Sequence, residues 1–234
     1  MIKTVAFDAD DTLWHNEPLY SETTERFRRL LSAYHSPQWI GERLYETETR
    51  NLQHYGYGIK SFTLSMIETA IELTEGRIKG SEIQEILRFA KEMLQAPVRL
   101  LDHAAETVKR LAESYELMII TKGDLFDQES KVARSGLGDY FAAVEIVTEK
   151  DPQTYRAVAS KSGVEMREFL MVGDSLKSDV LPVLEAGGHA IYVPYATPWQ
   201  HETVPAEVAS RYDFMRAGSI REIPGIIEEL AAAN

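Results

Sequence analysis

The chain contains no cysteine, which excludes disulfides, thiolate metal sites and a cysteine nucleophile. Any covalent catalysis therefore falls to another side chain. Basic residues are in short supply as well: 25 Lys and Arg face 37 Asp and Glu, for a formal net charge of −12. A surface so acidic is repelled by nucleic acids and by anionic membranes. An anionic substrate would have to be drawn in by a local cation. No stretch comes near the roughly 18 consecutive apolar residues of a membrane span, and Met1-Ile-Lys-Thr4 runs into an apolar segment without a signal-peptide pattern. The expectation is a cytoplasmic protein with neither a nucleic-acid nor a membrane partner. What remains is 234 residues of 44% hydrophobic composition, enough for one large or two small domains with a real core.

The most informative segment is Val5-Ala-Phe-Asp8-Ala-Asp10-Asp-Thr12-Leu, where two carboxylates one residue apart end an apolar run too short for a helix. Read as a buried strand, Ile2 to Phe7 delivers Asp8 and Asp10 at its carboxyl end, where α/β sheets place ligands. Side chains alternate along an extended chain, so the two acids share a face unless the backbone turns between them. Like charges that close require a cation, a shared proton or a partner, and a hard, oxygen-ligated ion such as Mg²⁺ answers the need. The alternative is an acidic turn that caps the next segment.

From about Asn16 to Gln95 the chain reads as helices. Phe27, Leu30, Leu31 and Tyr34 recur at helical spacing, as do Leu64, Ile67 and Ile71, and then Ile83, Ile86, Leu87 and Ala90; these stripes are the expected helical core. From about Val98 strand and helix alternate, with strands at Leu117–Ile120, Ala143–Val147, Phe169–Val172 and His189–Val193, and with Ile223, Ile226, Ile227 and Leu230 closing the chain as a helix. This alternation predicts an α/β fold: a parallel sheet of five or more strands covered by helices, with an α-helical insertion after its first strand. The expected division is residues 1–15 and 97–234 for the sheet and 16–96 for the insertion.

Phe169-Leu-Met-Val-Gly173-Asp174-Ser-Leu-Lys-Ser-Asp179 repeats the opening pattern of a buried strand followed by carboxylates. Asp174 can close a cation site begun by Asp8 and Asp10. Asp179 reads either as a metal-related carboxylate or as the cap of the following helix. Thr121-Lys122-Gly123 ends the second strand with side-chain and backbone donors for a phosphate oxygen, and Lys150 after the third strand can set a fixed positive charge among the acids. A simple turn and a surface lysine are the alternatives.

Asp8-x-Asp10-x-Thr12, Thr121, Lys150 and Gly173-Asp174-Ser-x-x-x-Asp179, each at a predicted strand end, together resemble the four-part signature of the haloacid dehalogenase superfamily, over nearly the full length of the chain. Ser135-Gly-Leu-Gly-Asp-Tyr-Phe141 and Leu184-Glu-Ala-Gly-Gly188 are similar to that superfamily's phosphatase branch. The resemblance implies a Rossmannoid core with a helical cap domain. It implies hydrolysis of a small phosphorylated metabolite, with Asp8 as the nucleophile that forms an aspartyl-phosphate and Asp10 as acid and then base. It further implies Mg²⁺ held by the Asp8 and Asp174 carboxylates and the Asp10 backbone carbonyl, and phosphate held by Thr121, by the Lys122 or Gly123 amide and by Lys150. A phosphomutase shares these residues, and a non-catalytic phospho-ligand-binding or regulatory module is the reading from another class.

The chain departs from the family pattern in three places. Asp11 stands where the family often has glycine, Asp-Pro-Gln-Thr-Tyr155 after Lys150 varies the usual Lys-Pro spacing, and Leu101-Asp-His-Ala104 replaces the usual Pro-Gly. Within the insertion, Tyr20, Arg50, His54, Tyr57 and Lys60 cluster near breaks between helices and are the candidates for substrate contact, with surface or packing roles as the alternative. Trp199, His201 and Glu202 follow the fifth strand and read either as a border of the site or as a packed loop. A monomer or homodimer is expected.

Overall fold

The computed structural model describes residues 1–197 and 199–232. Its sheet contains β1 (Thr4–Phe7), β2 (Glu116–Lys122), β3 (Ala143–Val147), β4 (Phe169–Gly173), β5 (His189–Tyr192) and β6 (Met215–Arg216). All pair in parallel, in the order β3-β2-β1-β4-β5-β6. The helices are α1 (Glu17–Leu30), α2 (Pro37–Tyr55), α3 (Ile59–Leu73), α4 (Gly80–Gln95), α5 (Ala104–Ala112), α6 (Leu125–Ser135), α7 (Pro152–Lys161), α8 (Leu181–Ala186), α9 (Ala206–Ala209) and α10 (Ile223–Ala232). Among the described residues, no helix is long and apolar enough to cross a membrane.

The strands are apolar at nearly every position because both faces of the sheet are covered. Val5, Phe7, Leu117, Ile119, Leu170 and Val172 enter one core with Val108 and Leu111 of α5 and Ile223 and Ile227 of α10. The intervening Ala6, Met118, Ile120, Phe169 and Met171 enter a second core with Tyr155 and Val158 of α7 and Val183 of α8. Strand order reverses at β1: the chain moves outward through β2 and β3, then returns to place β4 on the other side of β1. Such a switch point opens a crevice at the carboxyl ends of the two strands. The two-residue β6 extends the sheet beyond the strands legible from hydrophobic pattern.

The described chain forms two compact units. Met1–Glu17, Val98–Lys122 and Glu129–Asn234 make the sheet unit, whereas Pro18–Pro97 together with Gly123–Gln128 make a helical unit. The helical unit has its own core of Phe27, Leu31, Ile40, Leu44, Ile59, Phe62, Met66 and Ile86. Leu64 and Ile71, expected in that core, are 43% and 46% exposed, and Leu87 is 38% exposed. For Leu64 and Ile71 the reason is that α3 carries two apolar stripes: Phe62, Met66 and Ala70 recur at i+4 steps, a helical spacing as good as that of Leu64, Ile67 and Ile71, and take the interior.

Two of the departures from the family pattern share a backbone cause. Asp11 has φ 61° and His103 has φ 68°, so both occupy the left-handed region where glycine is at ease. The Asp11 carboxylate also caps α1, accepting from the Asn16 N–H at 2.9 Å and the Glu17 N–H at 3.0 Å, an arrangement glycine could not offer.

Candidate active site

Three carboxylates meet at the switch point. Asp8 follows the last residue of β1, and its backbone N–H donates to Val172 O of β4 at 2.9 Å. Asp174 follows the last residue of β4, and Thr12 Oγ1 donates to its Oδ1 at 3.1 Å. Asp179 arrives from a wide π-type turn, Leu176–Val180, in which the Val180 N–H reaches back to Ser175 O at 3.2 Å. Pro182 has no N–H to offer the Ser178 carbonyl, which instead accepts from Tyr155 Oη at 2.8 Å. The turn folds Asp179 over the end of β4, where a Cβ on Gly173 would overlap its carboxylate. Gly173 is therefore required for close approach. One oxygen from each of Asp8, Asp174 and Asp179 lies within 4.8 Å of the others.

Lys150 Nζ donates to Asp8 Oδ1 at 2.5 Å and to Asp179 Oδ1 at 2.7 Å. Burial pushes the Asp8 carboxyl up to about 7 against the pull of Lys150, and Asp179 and Asp10 add to the rise. Burial likewise raises Asp174, reinforced by the negative charges of Asp8 and Asp179. For Lys150, burial works against the charge, but Asp179 and Asp8 outweigh it and hold the ammonium well above its usual range. An excess of buried negative charge remains, and it calls for a further cation. The donors are all hard oxygens, and they fit a hard divalent ion.

The Asp10 side chain does not join this trio. Its Oδ1 accepts from Trp14 Nε1 at 2.7 Å, and both its oxygens accept from Lys131 Nζ at 3.0 Å. Lys131, which is 6% exposed, also donates to Asn16 Oδ1 at 2.9 Å. Sequence reasoning missed Lys131. The signal was a run of polar residues, Asp127, Gln128 and Lys131, on the buried side of α6.

Thr121 is buried at the end of β2. Lys122 Nζ donates to Ser178 Oγ at 2.8 Å and to Glu202 Oε1 at 2.7 Å. Glu202 Oε2 accepts from Ser175 Oγ at 2.5 Å and also from Ser178 Oγ. Burial opposes the Glu202 charge, yet Lys122 and the two hydroxyls bring its carboxyl down to about 2. Gly123 has φ 136° and groups with the helical unit, where a Cβ would come within 2.9 Å of Gln128 Nε2.

Four of the candidates for substrate contact have neighbours inside the helical unit. Tyr20 packs on Phe62 with ring centroids 5.1 Å apart, and His54 lies 6.3 Å from the Tyr55 ring. Arg50 pairs with Glu68 at 3.1 Å and Glu72 at 3.0 Å, and Lys60 pairs with Asp124 at 3.0 Å. Tyr57 is half-buried between α2 and α3 in the sequence.

A carboxylate trio suited to a hard cation, set at the switch point of a doubly wound parallel sheet, defines the class of site. Known proteins narrow it. The model of the haloacid dehalogenase-like hydrolase family matches residues 2–187. A crystal structure of a haloacid dehalogenase-like family hydrolase from Xanthomonas campestris superposes with a TM-score of 0.88 at 42% identity, covering 99% of this chain and 93% of that one. The 5-amino-6-(5-phospho-D-ribitylamino)uracil phosphatase of Escherichia coli is 26% identical, over 82% of this chain and 83% of its own. The N-acylneuraminate-9-phosphatase of Mus musculus is 24% identical, over 98% and 95%. The chain belongs to the haloacid dehalogenase-like hydrolases.

Proposed function

We propose that this hydrolase is a Mg²⁺-dependent phosphatase that cleaves the phosphomonoester of a small metabolite through an aspartyl-phosphate on Asp8. The observation that carries the reading is the Asp8–Asp174–Asp179 cluster bonded by Lys150. Phosphatase names on the curated relatives support the same class of substrate. Asp8 and Asp174, with the Asp10 backbone carbonyl and with Asp179 beside them, would hold Mg²⁺, which when bound supplies charge that offsets the repulsion between an anionic nucleophile and an anionic phosphate.

An Asp8 carboxylate oxygen forms a bond to phosphorus as the bond to the leaving oxygen breaks, and Asp10 gives that oxygen its proton. Asp10 then takes a proton from the water that attacks the phosphorus of the aspartyl-phosphate, which restores Asp8 and releases inorganic phosphate. Lys131 and Trp14 hold the Asp10 side chain in place, as acid in the first step and as carboxylate in the second. Thr121, the amide of Lys122 or Gly123, and Lys150 stabilise the charge gathering on the phosphoryl oxygens. The helical unit acts as the cap that selects the organic part of the substrate.

The test is phosphate release from a panel of phosphorylated sugars, nucleotides and short acids, with Mg²⁺ or with EDTA, by the native chain and by Asp8→Asn. Release by the native chain should need Mg²⁺ and fall by at least about 10³-fold in the variant. Substantial turnover by folded Asp8→Asn would remove the nucleophile assignment.

A further inference from the structure

Glu202 is a half-buried carboxylate that the phosphatase chemistry does not use. It sits on the excursion after β5, in a short helical turn spanning Gln200–Glu202, and its side chain is 13% exposed. Its partners belong to two different parts of the proposed site. Oε2 accepts from Ser175 Oγ at 2.5 Å and from Ser178 Oγ; Ser175 immediately precedes the turn that lifts Asp179, and Ser178 lies within it. Ser175 is also the neighbour of Asp174, and its own N–H donates to Asp179 Oδ2 at 3.0 Å. Oε1 accepts from Lys122 Nζ at 2.7 Å, next to Thr121 at the end of β2. Lys122 Nζ closes the loop by donating to Ser178 Oγ at 2.8 Å.

The turn from Ser175 to Val180 has an unusual i to i−5 backbone bond, from the Val180 N–H to Ser175 O, and such turns persist where neighbouring groups hold them. Ser178 Oγ is bonded on two sides, as donor to Glu202 and as acceptor from Lys122, so its rotamer is set. Ser175 Oγ accepts from the Ser178 N–H at 3.0 Å while it donates to Glu202. Remove the carboxylate and both hydroxyls lose their acceptor, while Lys122 keeps an ammonium that is 10% exposed without its nearest counter-charge.

We propose that Glu202 is a positioning residue: one carboxylate that braces the Asp174–Asp179 turn against the Thr121–Lys122 strand end, and thereby sets the spacing between the cation ligands and the phosphate-holding hydroxyl. The inference rests on the phosphatase reading of the site, and it assigns a role to a loop that follows the family signature. Partners that orient metal ligands change affinity by about 10- to 100-fold when lost.

The experiment is calorimetric titration of Mg²⁺, and then of inorganic phosphate with Mg²⁺ present, into the native chain and Glu202→Gln, with kcat and KM measured separately and thermal unfolding as the fold control. The folded variant should bind Mg²⁺ about 10-fold or more weakly, with kcat reduced more than KM is raised. Ser178→Ala, which leaves the Lys122–Glu202 pair intact, takes the same readout if Glu202→Gln does not fold. A lower Mg²⁺ affinity in it supports the brace. Mg²⁺ and phosphate affinities within about twofold of native in the folded variant, with only the unfolding temperature lowered, would reduce Glu202 to a structural residue. A native chain that binds neither Mg²⁺ nor phosphate would overturn the phosphatase reading, and the brace with it.

Discussion

Lys150 of the sheet unit and Arg50 of the helical unit each bond two carboxylates, in opposite surroundings. The side chains joined by Lys150 are 2%, 11% and 1% exposed. Those joined by Arg50 are 47% and 39% exposed. In water the second network exchanges solvent contacts for ionic ones and gains little. In the interior the first bears the desolvation of every member, and stability alone gives no reason to keep it. The contrast teaches why the buried trio, and not the surface network, is the candidate site: folding must tolerate its charges, whereas it gets surface charges nearly free.

Removing the buried ammonium should break the contrast most severely. Lys150→Met leaves Asp8 and Asp179 facing each other without it, and should lower metal-free stability by about 3–5 kcal/mol at pH 8 in urea unfolding. The loss should shrink toward pH 5 as Asp8, whose carboxyl burial pushes up to about 7, takes up its proton. An equal loss at both pH values would show that packing, not charge, is what Lys150 supplies.

A cavity in the helical core tests the other side. Phe27 is fully buried, and Phe27→Ala should cost about 3–5 kcal/mol. Mg²⁺ affinity in calorimetry should remain native, because every carboxylate of the trio lies in the sheet unit. A loss of Mg²⁺ binding in the folded variant would mean that the site depends on the helical core.

The acid limb of stability sharpens the comparison further. The Glu202 carboxyl is lowered from 4.5 to about 2 on folding, so the unfolded chain takes up this proton first as pH falls. Glu202 therefore contributes its full stabilisation above about pH 4.5 and loses it as pH falls toward 2, on the order of 2–4 kcal/mol in all. Glu202→Gln should flatten that limb of a pH series of urea unfolding curves. An unchanged slope would place the acid sensitivity elsewhere.

The smallest effect belongs to Arg50. Arg50→Ala should leave both kcat/KM and the unfolding midpoint at native values, since its partners Glu68 and Glu72 remain solvated without it. A raised KM would support Arg50 as a substrate contact.

Much of the sheet and the acidic residues of the site were legible because both leave local marks. Buried parallel strands are short apolar runs, and Asp8, Asp174 and Lys150 each follow one of them closely in the sequence. The sixth strand left no such mark, having only two residues. Nor did the inward face of α3, where Leu64 and Ile71 form one helical stripe and Phe62, Met66 and Ala70 another, and only neighbouring helices choose between them. Asp11 in the sequence is only a departure from the family's usual glycine. Its left-handed backbone and its hold on the start of α1 depend on dihedral angles that a residue name does not report.

The order of short apolar segments determined an α/β chain, and the residue types at their ends carried the resemblance to the haloacid dehalogenase-like hydrolases, because burial and ligand preference are properties of residues and their neighbours along the chain. Partnership across the fold was decided by tertiary structure alone. Lys131 meets Asp10 across 121 positions, Lys150 meets Asp8 across 142, and Glu202 meets Lys122 across 80. Each of these contacts is electrostatic and short-ranged, so it exists only once β1, β2 and β4 lie side by side and exclude the water that would otherwise screen it.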